Sequence, residues 1–214
     1  MKSNKRILFA VLGVVIIFVV IVWRVPSCTA TYKGKVIDAV TKLPIEGAVV
    51  VASWSEEQGT PTGGTSRFHD VKETLTDKNG EWKIKGPRGA RGDFLVNVYT
   101  ILSMMFFSYY TEPPLFIIFN PGYCSYPQGF GIDACKEKIK PSGRNKIIAG
   151  ETIELPKLTS REDRLEAQRI WPSLKANEGD KETLKKIKNF IQVKNDEHRY
   201  LGLQEMYKEI EHEK

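Results

Sequence analysis

Residues 71–85 have the sequence VKETLTDKNGEWKIK, in which apolar and polar side chains nearly alternate on both sides of Asn79-Gly80. Alternation with a period of two places one face of a strand in a core and the other face in water. Asn and Gly both tolerate the positive φ that a tight hairpin turn needs. The segment therefore predicts a β-hairpin that closes at Asn79-Gly80.

Further strand patterns lie on both sides of this segment. They cover residues 31–38, 48–54, 93–99 and 115–119, with 146–149 and 151–155 as a final strand or pair. Residues 55–70 contain Gly59, Pro61, Gly63 and Gly64, which favour an exposed loop. About seven short strands joined by turns predict a mainly β chain, with a seven-stranded antiparallel sandwich over residues 30–158.

The N-terminal segment, residues 1–29, contains an unbroken apolar run of 17 residues from Ile7 to Trp23. As a helix this run spans about 26 Å, close to the ~30 Å hydrocarbon core of a bilayer. Three basic residues precede it and predict that this end stays in the cytoplasm. The sequence therefore predicts a protein that is attached to the cell membrane through residues 7–23, with a transmembrane or signal helix, and exported beyond them.

Three fates of this segment stay open: an uncleaved single-pass anchor, a lipoprotein and a fully secreted chain. Val25-Pro26-Ser27-Cys28 resembles a bacterial lipobox, in which Cys28 becomes the lipidated first residue. Cys28-Thr29-Ala30 offers small residues to an ordinary signal peptidase. In each case the rest of the chain lies on the periplasmic or extracytoplasmic side.

The net charge of +6 is concentrated near the apolar run. Residues 1–30 carry four basic and no acidic side chains, residues 31–158 carry 16 basic and 14 acidic, and residues 159–214 carry 12 of each. Basic residues beside a membrane segment have a topological role. The distribution does not favour nucleic acid as a partner.

Three motifs occur in order along the chain: GKVID at 34–38, LPIEGAVV at 43–50 and TDKNGEW at 76–82. Together with FNPGY at 119–123, they resemble the carboxypeptidase regulatory-like domain family. The resemblance covers about residues 30–155 and implies a transthyretin-like β-sandwich. Members of that family serve as accessory, folding or adhesive modules, so the resemblance implies a fold more specifically than a function.

The sequence contains no recognisable catalytic or metal-binding motif. His69, His198 and His212 are scattered, and no His-Glu-x-x-His or Gly-x-Ser-x-Gly occurs. Asp77 to Gly80 does not match a calcium loop, because Leu75 stands where an earlier acidic ligand is needed. We therefore expect no enzyme activity, no metal and no cofactor. The carboxypeptidases that carry the similar domain hold their zinc in a separate catalytic domain.

Cys124 and Cys135 are separated by ten residues that include Pro and Gly. In an oxidising compartment they are expected to form a disulfide that closes this loop. Two sulfurs without a nearby histidine are too few for a zinc site. Cys28 is then left over, which favours its lipidation.

Aromatic side chains are concentrated in residues 99–110 and 113–126. If they are exposed, they can stack on sugars or bind a partner, and if they are buried they form the core of the sandwich. The tyrosines near predicted loops are the candidates for a ligand site: Tyr109, Tyr110, Tyr123 and Tyr126.

Residues 159–214 predict a helical tail. Thr159 and Glu162 have the spacing of a capping box, a second helix is expected from Asp180, and a third contains Leu203. The narrow apolar stripes of these helices are expected to pack on the sandwich or on one another, and a partner-binding helix pair is the alternative.

These features predict a membrane-tethered, exported, non-catalytic module for protein interaction or structural support in the bacterial envelope, with an unidentified envelope protein as partner. The alternative is a module that binds a glycan or peptide through its aromatic loops. A hydrolase would require His69 and His198 to lie together with an acid.

Overall fold

The computed structural model describes residues 13, 29–60, 63–89, 109–127, 135, 150–172 and 181–207. Within these ranges the chain is mainly β, and its helices follow the last strand. The strands are β1 Thr29–Asp38, β2 Val49–Thr60, β3 Gly63–Leu75, β4 Glu81–Pro87, β5 Tyr110–Thr111, β6 Leu115–Phe119 and β7 Thr152–Leu155. The helices are α1 Arg161–Ala167, α2 Lys181–Lys185 and α3 Lys188–Leu201. The predicted mainly β chain of seven strands is therefore confirmed for the described residues.

The strands form two sheets that share one core. Sheet A has the order β4-β1-β7, and in sheet B the long strand β2 pairs with β3 on one side and with β5 and β6 on the other. Val36, Trp82 and Ile153 from sheet A are buried in the same cluster as Val50 and Phe116 from sheet B. The inward side chains of both sheets thus pack face to face.

One strand pair departs from the predicted antiparallel arrangement. β7 runs parallel to β1, with Val36 opposite Ile153 and Asp38 opposite Leu155. The other pairs of named strands in the described part of the chain are antiparallel. Parallel strands cannot be joined by a two-residue hairpin, so the pairing of β1 with β7 requires a crossover between them. The prediction of a wholly antiparallel sandwich is wrong at this edge.

The turn at Asn79-Gly80 connects the two sheets. β3 belongs to sheet B and β4 to sheet A, so the predicted hairpin is wrong although a tight turn forms where it was expected. The Asp77 carboxylate accepts hydrogen bonds from the N–H groups of Asn79 and Glu81, both at 2.9 Å. Gly80 adopts a φ of +73°. A Cβ at Gly80 would lie 2.3 Å from the carbonyl oxygen of Val36, so the turn lies directly against β1.

Residues 55–70, which were expected to form an exposed loop, are instead mostly strand. β2 continues to Thr60 and β3 begins at Gly63, with Glu56 opposite Arg67. The glycines of this region are at the tip of the resulting hairpin. Its side chains are mostly exposed or half-buried, so the apolar alternation that marks a strand in a sequence is missing.

The helices cover the outer face of sheet B. Phe190 and Ile191 of α3 are buried in a second cluster with Val51 and Phe119 of the sheet. The rings of Phe190 and Phe119 meet with their centroids 6.1 Å apart. Of the arrangements expected for the tail, packing on the sandwich is the one observed for α2 and α3.

Two details of the tail differ from the predicted ones. The N-cap of α1 is Ser160 and not Thr159, because the Ser160 hydroxyl accepts from the N–H of Asp163 at 3.0 Å. The third helix, which was expected to contain Leu203, is not formed by residues 203–207. α3 ends before Gly202, whose φ of +72° breaks the helical path.

Several predicted segments lie outside the described residues. They are the apolar run 7–23 apart from Gly13, Cys28, the segment 93–99 and the segment 146–149. Among the ranges that are described, no helix has the length and apolar character needed to cross a bilayer.

Candidate interaction surface

Residues of the family-like motifs fix the loops at one end of the sandwich. The Asp38 carboxylate accepts from the N–H groups of Thr41 and Val40 at 2.8 Å each, and it also hydrogen-bonds the Tyr123 hydroxyl. The bond from Thr41 contributes most to holding the pKa of Asp38 below its ordinary value. Burial, together with the nearby Asp38 charge, raises the pKa of Tyr123. Tyr123 therefore has a structural role in this turn.

Thr76 connects two of these motifs. Its hydroxyl donates to the carbonyl oxygen of Ile45 at 2.6 Å and accepts from the N–H of Ala48 at 2.9 Å. Between those two residues, Gly47 has a φ of +75°. The β1–β2 loop is thereby held against the start of the turn between the sheets.

The four candidate tyrosines do not share an exposed surface. Tyr110 and Tyr126 are buried, with 8% and 5% of their surface exposed. Tyr123 is half-buried and bonded as described above. Tyr109 is half-buried at the β2–β3 hairpin, with the guanidinium of Arg67 3.8 Å from its ring centroid. The aromatic segments thus contribute mainly to the interior in the described part of the chain.

Cys124 and Cys135 form the predicted disulfide, with their Cα atoms 6.0 Å apart. Both cysteines are fully buried and pack with Leu158 and Ala167. The disulfide therefore contributes to a small third core between the end of β7 and α1.

The two described histidines have different partners. Nδ1 of His69 lies 2.9 Å from a carboxylate oxygen of Glu56. Nδ1 of His198 lies 2.8 Å from the carbonyl oxygen of Gln204. No group of three or more His, Cys, Asp or Glu side chains is placed to hold a metal ion among the residues that the structure describes. His69 and His198 therefore contact different groups, one a carboxylate and the other a backbone carbonyl.

The outer face of sheet A has a different character from that of sheet B. Lys33 and Lys35 of β1 and Lys83 and Lys85 of β4 alternate with the core residues and point away from the core. We call these four residues the lysine face. Lys33 lies directly opposite Lys83 in the strand pair, and Lys35 lies opposite Glu81.

The amines of the lysine face form no ion pairs with the described residues. None of the four amines has an ion pair or a hydrogen bond to another described residue, whereas Lys42 pairs with Glu154 at 2.6 Å and Lys186 with Asp70 at 2.6 Å. Like charges directly opposite each other in an antiparallel pair are destabilising. The sandwich thus keeps a charge arrangement that its own stability does not favour.

A groove of about 590 Å³ runs along this face. Its lining includes Lys33, Lys35, Lys83, Thr74, Thr152, Asp77 and Glu81. At its base, Gly34 allows the Trp82 indole to lie against β1, since a Cβ there would be 2.8 Å from the ring. The groove therefore offers both basic and hydroxyl groups to a ligand, with acidic groups beside them.

The lysine face is not among the sites predicted from the sequence. The signal was present as the pattern Lys-x-Lys in two segments, at 33–35 and 83–85. Those segments are 48 positions apart, and only the register of β1 with β4 brings Lys33 beside Lys83. A net charge summed over residues 31–158 hides the patch, because acids elsewhere in that range balance it.

No protein-family model matches the sequence, and no curated protein matches it significantly. The fold and the surface chemistry are therefore the basis for inferring a function.

Proposed function

We propose that this protein is a membrane-tethered, exported, non-catalytic module that serves protein interaction or structural support in the bacterial envelope. We propose further that its β domain has the transthyretin-like sandwich fold of the carboxypeptidase regulatory-like family. Support for that fold comes from Asp38, Thr76 and Gly80, three motif residues that fix turns by hydrogen bonds or by positive φ.

The observation that carries the proposal is the difference between the two outer faces of the sandwich. The outer face of sheet B is apolar and is covered by the helices of the same chain. On the lysine face of sheet A, Lys33, Lys83 and Lys85 are exposed and Lys35 is half-buried, and none of the four amines has an ion-pair partner among the described residues. The helices of the chain thus cover one outer face of the sandwich, and the other outer face stays charged and accessible. The lysine face is therefore suited to contact a partner.

Two further features support export and tethering. The apolar run 7–23 has the length of a membrane segment. The disulfide between Cys124 and Cys135 is of a kind that persists in oxidising compartments and is rare in the cytosol.

Site-specific photo-cross-linking in bacterial cells tests this function. A photo-reactive residue is placed at position 83 on the lysine face and, as a control, at the exposed position 186 on the helical layer. We expect adducts with envelope components from position 83 and few from position 186. The proposal is overturned if neither position gives an adduct, or if the chain is recovered from the cytosol instead of the membrane fraction.

A further inference from the structure

We propose that the lysine face binds the anionic headgroups of lipids, so that sheet A lies on the surface of the membrane that holds the chain. This inference rests on the proposed membrane tether and goes further by naming the partner of the lysine face.

The shape of the lysine face suits a surface better than a small ligand. Neighbouring strands lie about 4.8 Å apart and successive outward residues about 7 Å apart. Lys33 and Lys83 are direct neighbours across the strands, and Lys35 and Lys85 extend the patch in opposite directions. The four amines are therefore spread over a face about 14 Å long, on which several phosphates can be contacted at once.

The tether brings this face close to the bilayer. Five residues, Arg24 to Cys28, separate the apolar run from Thr29, the first residue of β1. An extended chain covers at most about 3.5 Å per residue, so Thr29 lies within about 20 Å of the end of the run. Lipidation of Cys28 would hold β1 closer still. β1 is the central strand of sheet A, and Lys33 follows Thr29 by only four residues.

The helical layer is the less favourable face for an anionic surface. It also exposes lysines, but Lys186 is paired with Asp70 and the segment 159–214 carries as many acidic as basic residues. On the lysine face, Glu81 stands opposite Lys35, which leaves Lys33, Lys83 and Lys85 without an opposing acid among the described residues of the β1–β4 pair. Attraction to an anionic leaflet rises with each basic residue close to it.

The test uses the full chain in vesicles of phosphatidylcholine alone or with about one third phosphatidylglycerol, where the anionic lipid supplies the attraction. An amine-reactive reagent is applied, and mass spectrometry gives the labelling rate of each lysine. With the anionic lipid, we expect labelling of Lys33, Lys83 and Lys85 to slow by roughly fivefold. Lys42 and Lys186 should react equally in both vesicles. In 1 M salt, where the Debye length is about 3 Å, the protection should disappear.

A matched pair of variants separates this face from net charge. The K33Q/K35Q/K83Q variant removes three positive charges from the lysine face and leaves Lys85 as the reporter. The K181Q/K185Q/K188Q variant removes the same charge from exposed positions of the helical layer. We expect Lys85 to lose its protection in the first variant and to keep it in the second.

Equal labelling of the lysine face in both kinds of vesicle overturns the inference. Protection that appears in phosphatidylcholine vesicles only after envelope proteins are added also overturns it, and assigns the face to a protein partner. A separate outcome concerns the membrane tether: release of the chain from the vesicles by alkaline carbonate would contradict the tether in the proposed function. Protection of Lys33 and Lys83 at low salt would still support lipid binding by the lysine face in that case.

Discussion

Arg164 and Glu197 form an ion pair between α1 and α3, in which the carboxylate is buried and the guanidinium is half-buried. Two guanidinium nitrogens of Arg164 donate to the two carboxylate oxygens of Glu197 at 2.7 and 2.6 Å, and the Glu197 side chain is 1% exposed. An Arg164→Met substitution leaves this carboxylate without its partner in the interior. We expect the free energy of unfolding in urea to fall by about 3–5 kcal/mol.

The Lys42–Glu154 pair is the matched control for this substitution. Its side chains are 57% and 40% exposed, although the charged atoms are also 2.6 Å apart. Lys42→Met should lower the free energy of unfolding by about 1 kcal/mol or less, because water screens the pair. A similar small loss in both variants would mean that the Arg164–Glu197 pair is not buried in solution.

Lys194 is a second buried charge on α3. Its amine donates to the carbonyl oxygens of Gln168 and Ile170 and lies 5.2 Å from the centroid of the Phe119 ring. Burial lowers the pKa of Lys194 from 10.5 to about 8, while the two carbonyl acceptors favour the charged form. This lysine should therefore make stability depend on pH in the alkaline range.

The direction of that dependence follows from the lowered pKa. Below pH 8 both states carry the proton, and between about pH 8 and 10.5 the unfolded state binds more protons than the folded one. The free energy of unfolding should therefore rise with pH in this window, by at most about 1.4 kcal/mol per unit. We expect urea unfolding of the wild type, relative to Lys194→Met, to show this slope between about pH 8 and 9.5. A difference that stays flat over that range would contradict a lowered pKa.

The residues that could be predicted from the sequence are those with local signals. Gly80 was expected at a tight turn, and Cys124 was expected to form a disulfide with Cys135. Both features are present in the structure. Lys194 and Glu197 had no such signal, because a charged residue in an amphipathic helix ordinarily faces water. Their burial depends on carbonyl and guanidinium groups of another segment, and that contact exists only after the helix has docked.

At the scale of elements, α3 is held at its start by a strand. The N-cap residue Ile187 makes no side-chain cap hydrogen bond, and the Glu73 carboxylate of β3 instead accepts from the N–H groups of Asn189 and Phe190, at 2.8 Å each. Burial raises the pKa of Glu73, and the two N–H groups act in the opposite direction. Glu73 thus joins the helical layer to sheet B.

A Glu73→Ala substitution should loosen this contact. The first turn of α3 would lose both an acceptor and a negative charge near its N-terminus, and we expect a loss of about 1–2 kcal/mol in the free energy of unfolding. Hydrogen exchange should accelerate first at Asn189 and Phe190. Glu81→Ala changes the net charge equally at an exposed site and should alter stability by about 0.5 kcal/mol or less. Unchanged exchange at those two amides would show that Glu73 does not cap α3.

The elements themselves were predictable to different degrees. β6 has the bounds expected for residues 115–119, because a short, fully apolar run has few alternatives. The pattern around Asn79-Gly80 predicts a turn between two strands, but it does not contain the information on which sheet each strand joins. That choice depends on β1 and β2, which pair with β4 and β3 respectively.

For the whole molecule, the sequence predicts the packing of sheets and helices better than it predicts the arrangement of exposed charges. The mainly β class and the packed helical tail follow from apolar patterns, which depend on burial alone. The lysine face depends on the register of two strands that are distant in the sequence, and local patterns do not determine that register.

The disulfide links the stability of the whole molecule to the compartment in which it folds. Cys124 and Cys135 are 11 residues apart in sequence and fully buried. Closing a loop of this length should stabilise the folded chain by about 2–3 kcal/mol, mainly by restricting the unfolded state. We therefore expect the C124A/C135A variant to lose about that amount in urea unfolding. Reductant should lower the stability of the wild type towards that of the variant and leave the variant unchanged. If the wild type unfolds at the same urea concentration with and without reductant, the disulfide does not stabilise the folded chain and this prediction is wrong.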